Sequence, residues 1–222
     1  MSEQSVSTKK KSMAAEKFRA FMKNKLAVAG AVLLIVMILL SALSPVIAPY
    51  GYDEQNYSVA RQTPSMEHLA GTDELGRDMF TRIIWGCRTS LTIGLTSVAG
   101  ACIVGVTIGC VAGFYSGVVD NVLMRLIDIL MAVPNLLLGI SVVAALGSSI
   151  SNLIIAIGLG SISAFARVAR SAVITVRGQE YIEAARATGA GDIRLMVKYV
   201  LPNALAPIIV QVSMGLATAI LN

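Results

Sequence analysis

A chain of 222 residues that is 55% hydrophobic and only 14% charged is too poor in polar side chains for a soluble domain, where about a quarter of residues are charged. Its composition is that of a multi-span membrane protein. The net charge of +5 does not point to nucleic acid: most of the positive residues fall in two blocks, Lys9 to Lys25 and Arg167 to Lys198, each abutting an apolar span, as they do on the cytoplasmic side of a membrane.

The first 25 residues form a polar, Lys-rich tail (domain 1–25), whose second half, Ala14–Lys25, reads as an amphipathic helix on the membrane surface. Residues 26–48 predict the first transmembrane helix. Its 23 residues reach about 34 Å, enough for a tilted crossing, and Ser44-Pro45 and Ala48-Pro49 end it. The apolar run Leu26–Leu43 is too long for a signal-peptide core and follows a polar tail, so it reads as a retained anchor. Residues 49–88 predict a polar loop with six acidic side chains against four arginines. A second uncharged stretch runs from Thr89 to Val119. Ile129–Ala166 is uncharged for 38 residues, about 57 Å as one helix, so it must contain two spans turning at Gly147-Ser148-Ser149. The third span is then expected to start near Asn121, the fourth to run from Ile150 to Val173, and the fifth to occupy Tyr199–Asn222. The fold class that results is an all-α, polytopic transmembrane helical bundle with about five spans present.

Placing the basic tail in the cytoplasm puts loop 49–88 outside, the Tyr115–Asp120 connection inside, the turn at 147–149 outside and the connection 174–198 inside. Arg177, Arg186, Arg194 and Lys198 then share a side with the tail, while the outer loop is net negative.

The chemistry-bearing residues are few. Cys102 and Cys110, eight residues apart on one helix, sit about 12 Å apart along its axis, too far for a disulfide, and Cys87 stands alone. The single histidine, His68, cannot build a metal site by itself, and no cofactor is expected. There is no phosphate-binding loop, no nucleophile elbow and no Cys/His cluster, so no catalytic residue is assigned and any ATP-driven step needs another protein. Gly105, Gly109, Gly113 and Gly117 recur every fourth residue and predict a smooth stripe for close helix packing. Arg125 and Asp128, one turn apart, read as a self-satisfying pair near a span end, and Pro134 predicts a kink. In the outer loop, Gly71 and Gly76 suit tight turns, Asp73 can cap one, and Arg77 can pair with Asp73 or Asp78. Most of that loop reads as self-bonded and structural. The segment 179–200 predicts two short helices hinged at Gly189, with Asp192 capping the second and Pro202 turning the chain into the fifth span. Glu183 and its small neighbours would face the cytosol.

Two of these stretches carry a family signature. Glu183, Ala184, Ala185, Gly189, Leu201 and Pro202, in that order between apolar spans, resemble the EAA loop of ABC importer permeases; Tyr199 stands where the family often has His. The outer segment His68–Asp78, containing Gly71, Thr72, Asp73, Gly76, Arg77 and Asp78, resembles the H-x-x-G-T-D-x-L-G-R-D segment of the dipeptide, oligopeptide and nickel branch, and Arg82–Leu91 continues it. The resemblance implies a type I importer permease whose core is 89–222, with the EAA coupling loop at 177–200. It implies as partners a second permease subunit, homo- or heteromeric, two ATP-binding cassette ATPases and an extracytoplasmic solute-binding protein, in the inner membrane and with no nucleic acid. The solute would be a peptide or a related nickel chelate, glutathione or opine. The family also implies a sixth span after Asn222, so the expectation is a chain lacking one helix with its C-terminus outside. A truncated, non-transporting relative or membrane scaffold is the alternative. A secondary transporter would need coupling charges that these spans lack.

Overall fold

The computed structural model describes residues 21–221. The basic tail up to Ala20, with most of the expected amphipathic helix and Lys9, Lys10, Lys11, Lys17 and Arg19, lies outside the described residues, as does Asn222. The fold is a helical membrane bundle. Among the described residues eight α-helices run in chain order: α1 Lys25–Ile47, α2 Met79–Tyr115, α3 Gly117–Ala132, α4 Asn135–Leu146, α5 Ile150–Arg177, α6 Glu180–Ala187, α7 Asp192–Leu195 and α8 Leu201–Leu221. Among the described residues the one β-type contact is an isolated bridge between Thr72 and Asp78.

Two compact units divide between Arg88 and Thr89. In the first, Asn24 caps α1 by accepting from the Ala27 amide at 3.2 Å, and the helix absorbs Pro45 in its last turn. The apolar side chains along α1, from Val32 to Leu43, are largely exposed, as a helix facing lipid requires. The expected loop is shorter than 49–88, because α2 starts at Met79. Asp78 initiates it, accepting from the Thr81 amide at 2.7 Å, and that signal outranks the polarity of Arg82 and Arg88.

In the second unit α5 is the central helix. Gly105, Gly109 and Gly113 of α2 are buried against it, and a Cβ added at Gly105 would stand 2.6 Å from the Ile162 carbonyl. The expected fourth member of that stripe, Gly117, does not belong to it: α2 stops at Tyr115, Ser116 and Gly117 adopt φ of +56° and +61°, and nothing lies within 4 Å of a Cβ at Gly117. The left-handed turn reverses the chain direction and takes Gly117 off the helix face. Two buried clusters fill the unit, one around Val98, Ile127, Phe165 and Ala166, the other around Phe114, Val173, Ile182, Leu195 and Val200.

The third span departs most from expectation. It starts at Gly117 rather than near Asn121, and Pro134 breaks it into α3 and α4, which meet at 84°. A proline removes one ladder donor and its ring displaces the preceding carbonyl, and Asn135 restarts the helix beyond it. Among the described residues four helices are therefore long and apolar enough to cross a membrane, or five spans result if the bent pair counts as one crossing. The fourth of these runs without a break from Asp192 to Leu221.

Candidate functional site

The candidate coupling segment follows α5. Helix α6 is only eight residues long, too short to hold alone, and one buried side chain anchors it: Ile182, 1% exposed, in the cluster with Phe114, Val173 and Leu195. Tyr181, Glu183, Ala184, Ala187 and Thr188 are exposed, whereas Ala185 packs against the cluster. The acidic Glu180 and Glu183 occupy the first turn and Arg186 the last, the arrangement the helix dipole favours. Termination is a Schellman motif: the Gly189 amide donates to the Arg186 carbonyl at 3.0 Å and the Ala190 amide to the Ala185 carbonyl at 3.2 Å, with Gly189 at φ +86°.

Two expectations for the following turn are corrected. The N-cap of α7 is Gly191, without a side-chain bond; Asp192 lies in the first turn, 3.9 Å from Arg186. Nor does the chain turn at Pro202. Residues Met196–Val200 form a π-helical turn in which the Leu201 amide reaches the Met196 carbonyl, and this wider turn makes room for the proline ring, so the helix continues. Leu201 packs on the apolar cluster and Pro202 is exposed. Tyr199 also packs on it, and its carbonyl accepts the Asn203 amide nitrogen at 2.6 Å.

Ion pairs brace the helices beneath this segment. Arg170 of α5 donates to both carboxylate oxygens of Asp120 on α3, at 2.5 and 2.6 Å. Arg177 donates to the Ser116 hydroxyl at 2.6 Å, tying the end of α5 to the reversal after α2, beside a cleft of about 400 Å³ that Glu183 and Arg186 also line. Sequence reading missed both bonds; partners 50 and 61 residues apart leave no local signal. The expected Arg125–Asp128 pair is replaced by one across helices, with Arg167 donating to Asp128 at 2.8 Å. The α3–α5 packing brings those two together, and i,i+3 spacing alone could not compete with it.

The segment His68–Asp78 is self-bonded. Asp73 accepts from the amides of Leu75 and Arg77, both at 2.9 Å, and from the Arg77 guanidinium at 2.7 Å. These bonds, the Arg77 amide foremost, hold its carboxyl below the usual carboxylate range. Gly71 and Gly76 have φ of +75° and +71° and press on the carbonyls of Gln62 and Asn56, where no side chain would fit. The Thr72 hydroxyl accepts from the Gln62 amide at 2.9 Å and donates to the Val59 carbonyl. Asp78 is buried beside His68, whose Nδ1 lies 3.0 Å from its Oδ1, with the Tyr50 ring 5.0 Å from the imidazole. Burial acts to raise the Asp78 pKa, but the Thr81 amide and the His68 ring outweigh it and hold the group below its ordinary value. The role of His68, ten residues from its partner, was not legible beforehand.

Comparison with known proteins agrees with this architecture. Residues 105–222 match the family of binding-protein-dependent transport system inner membrane components, and residues 12–64 match the N-terminal TM domain of oligopeptide transport permease C. The chain is 45% identical over 207 residues to the dipeptide transport system permease DppC of Alkalihalophilus pseudofirmus, covering 93% of this chain and 68% of the relative. It is 40% identical to DppC of Haemophilus influenzae (91% and 70% covered) and 36% identical to the glutathione transport system permease GsiD of Pectobacterium atrosepticum (93% and 69%). With a match over more than half its length and relatives this similar, the chain belongs to the family of binding-protein-dependent transport system inner membrane components.

Proposed function

We propose that this chain is the pore-forming permease subunit of an ATP-driven importer for short peptides or peptide-like solutes such as glutathione. It would pair with a second permease, two ATPases and an extracytoplasmic solute-binding protein. The observation that carries the coupling mechanism is α6 itself. It is an exposed helix with Glu183 and Ala184 facing outward, pinned through buried Ile182 to the ends of α2 and α5 and closed by Gly189. Movement of α6 is therefore transmitted through Ile182 to the spans, a packing change with a global consequence. The ATPase supplies hydrolysis, and Glu183 offers a carboxylate to a basic residue in its groove. The tail and the 177–200 segment would lie in the cytoplasm and the 49–78 loop outside, a placement that the arginine and lysine distribution supports. The names of the dipeptide and glutathione relatives support the solute class.

The test is a pull-down of the detergent-solubilised chain with its ATPase, wild type against Glu183→Lys. Co-purification with wild type and at least tenfold loss with the variant is the expected result. Equal recovery in both removes Glu183 from the contact, and no recovery with either removes the coupling role.

A further inference from the structure

The Arg167–Asp128 pair is placed where a membrane protein seldom leaves charge. Arg167 lies ten residues before the end of α5, about 15 Å along the axis. The 28 residues of α5 span about 42 Å, so with α5 centred on a hydrocarbon core of about 30 Å the Arg167 backbone sits about 9 Å inside the boundary. Asp128, on α3, is too short to reach an interface. Yet the two side chains are 51% and 48% exposed. Charges at this depth face water or protein rather than lipid.

The surroundings are mixed, with hydroxyl side chains continuing the line of Arg167. Ala164, Arg167, Ser171 and Thr175 form one exposed stripe on α5, while Ala166, Ala169 and Val173 on the other side are wholly buried. Towards the cytoplasmic end the stripe borders a groove of about 410 Å³ between α5 and α8, in which Ser171, Thr175 and Asn203 place polar groups among the apolar side chains of Val168, Val176 and Pro207. The wholly buried core contacts of α5 lie on its opposite face, so the stripe is free of them.

We propose that this stripe lines the solute path and that Arg167 and Asp128 are a charge-matched contact for a zwitterionic peptide. The peptide carboxylate engages the Arg167 guanidinium and its ammonium engages Asp128, each exchanging one ion pair for another without leaving a charge bare. This rests on the permease reading above and specifies its solute contact.

The experiment uses the complete transporter in proteoliposomes, with uptake of an unblocked dipeptide and ATP hydrolysis measured together. Binding-protein-dependent uptake by wild type is the entry condition; its absence defeats the permease reading itself. Given wild-type uptake, Arg167→Gln and Asp128→Asn are expected to assemble, keep binding-protein-stimulated hydrolysis within about twofold, and lose uptake at least tenfold, with Arg167→Lys restoring most of it. Unchanged uptake in both variants overturns the proposal. So does joint loss of assembly, hydrolysis and uptake that the charge-swapped pair Arg167→Asp/Asp128→Arg restores, which marks a brace between subunits. Independently of these variants, Ser171→Cys should react with a charged, membrane-impermeant thiol reagent at least fivefold faster than Val210→Cys on the exposed apolar side of α8, and peptide should slow it. A Ser171→Cys thiol that is no more reactive than Val210→Cys overturns the proposal as well.

Discussion

At the scale of single residues, Gly189 and Asp78 each hold a local geometry that one substitution tests. Gly189 has φ +86° with open space around it, so an added side chain would be strained by conformation and not by crowding. Gly189→Pro forces φ to about −65° and deletes the amide that donates to Arg186, so α6 loses its terminus. Solute uptake is expected to fall at least tenfold while membrane insertion, read by fractionation, stays unchanged. Asp78 has a folded-state pKa below its unfolded value, so its contribution is complete above the unfolded value near pH 4 and is lost as pH falls through the folded one. The outer loop should therefore resist limited proteolysis at pH 5 and open progressively below about pH 4. Asp78→Asn should make it protease-sensitive at neutral pH. The Asp73–Arg77 pair was legible from its spacing; the His68–Asp78 contact was not, because it depends on how the loop closes on Tyr50.

Between elements, close approach decides stability. A methyl group at Gly109 would lie 2.8 Å from Ala169 Cβ and 2.9 Å from the Arg170 amide nitrogen, backbone and Cβ atoms that cannot rotate away. Gly109→Ala should destabilise by about 1–3 kcal/mol through forced separation of α2 and α5. Gly100→Ala, on the exposed side of α2 with nothing within 4 Å, should be neutral or slightly stabilising. Thermal midpoints of the two variants in detergent discriminate them, and equal midpoints would remove the stripe from the packing account. The four-residue repeat made Gly105, Gly109 and Gly113 readable; Gly117 was misassigned because the repeat carries no mark of where a helix stops. Pro202 was misread for a related reason, since a proline predicts a break only if the preceding turn cannot widen.

For the whole molecule, the distribution of basic residues predicts a topology before any contact is considered. Reporter fusions after Gly189 should be active only as a cytoplasmic reporter, and fusions near Met66 only as an extracytoplasmic one. The opposite pattern would invert every assignment of side, including that of α6. The number of crossings depends on whether the pair bent by 84° at Pro134 traverses the bilayer, which the same fusions placed at Ser148 would report.

Composition, span lengths and the ordered Glu183–Pro202 set determined by themselves that this is an all-α membrane permease with a short helix that ends at Gly189. These properties are sums or short-range patterns along the chain, and hydrophobicity and turn chemistry act locally. The tertiary structure alone decided which charges meet. Asp120 finds Arg170, Asp128 leaves Arg125 for Arg167, and Arg177 reaches Ser116. Each pairing exists because glycines let α2 lie close on α5 and a left-handed turn at Ser116 brings α3 back beside it. Long-range electrostatics follows packing, and packing is what a one-dimensional pattern does not contain.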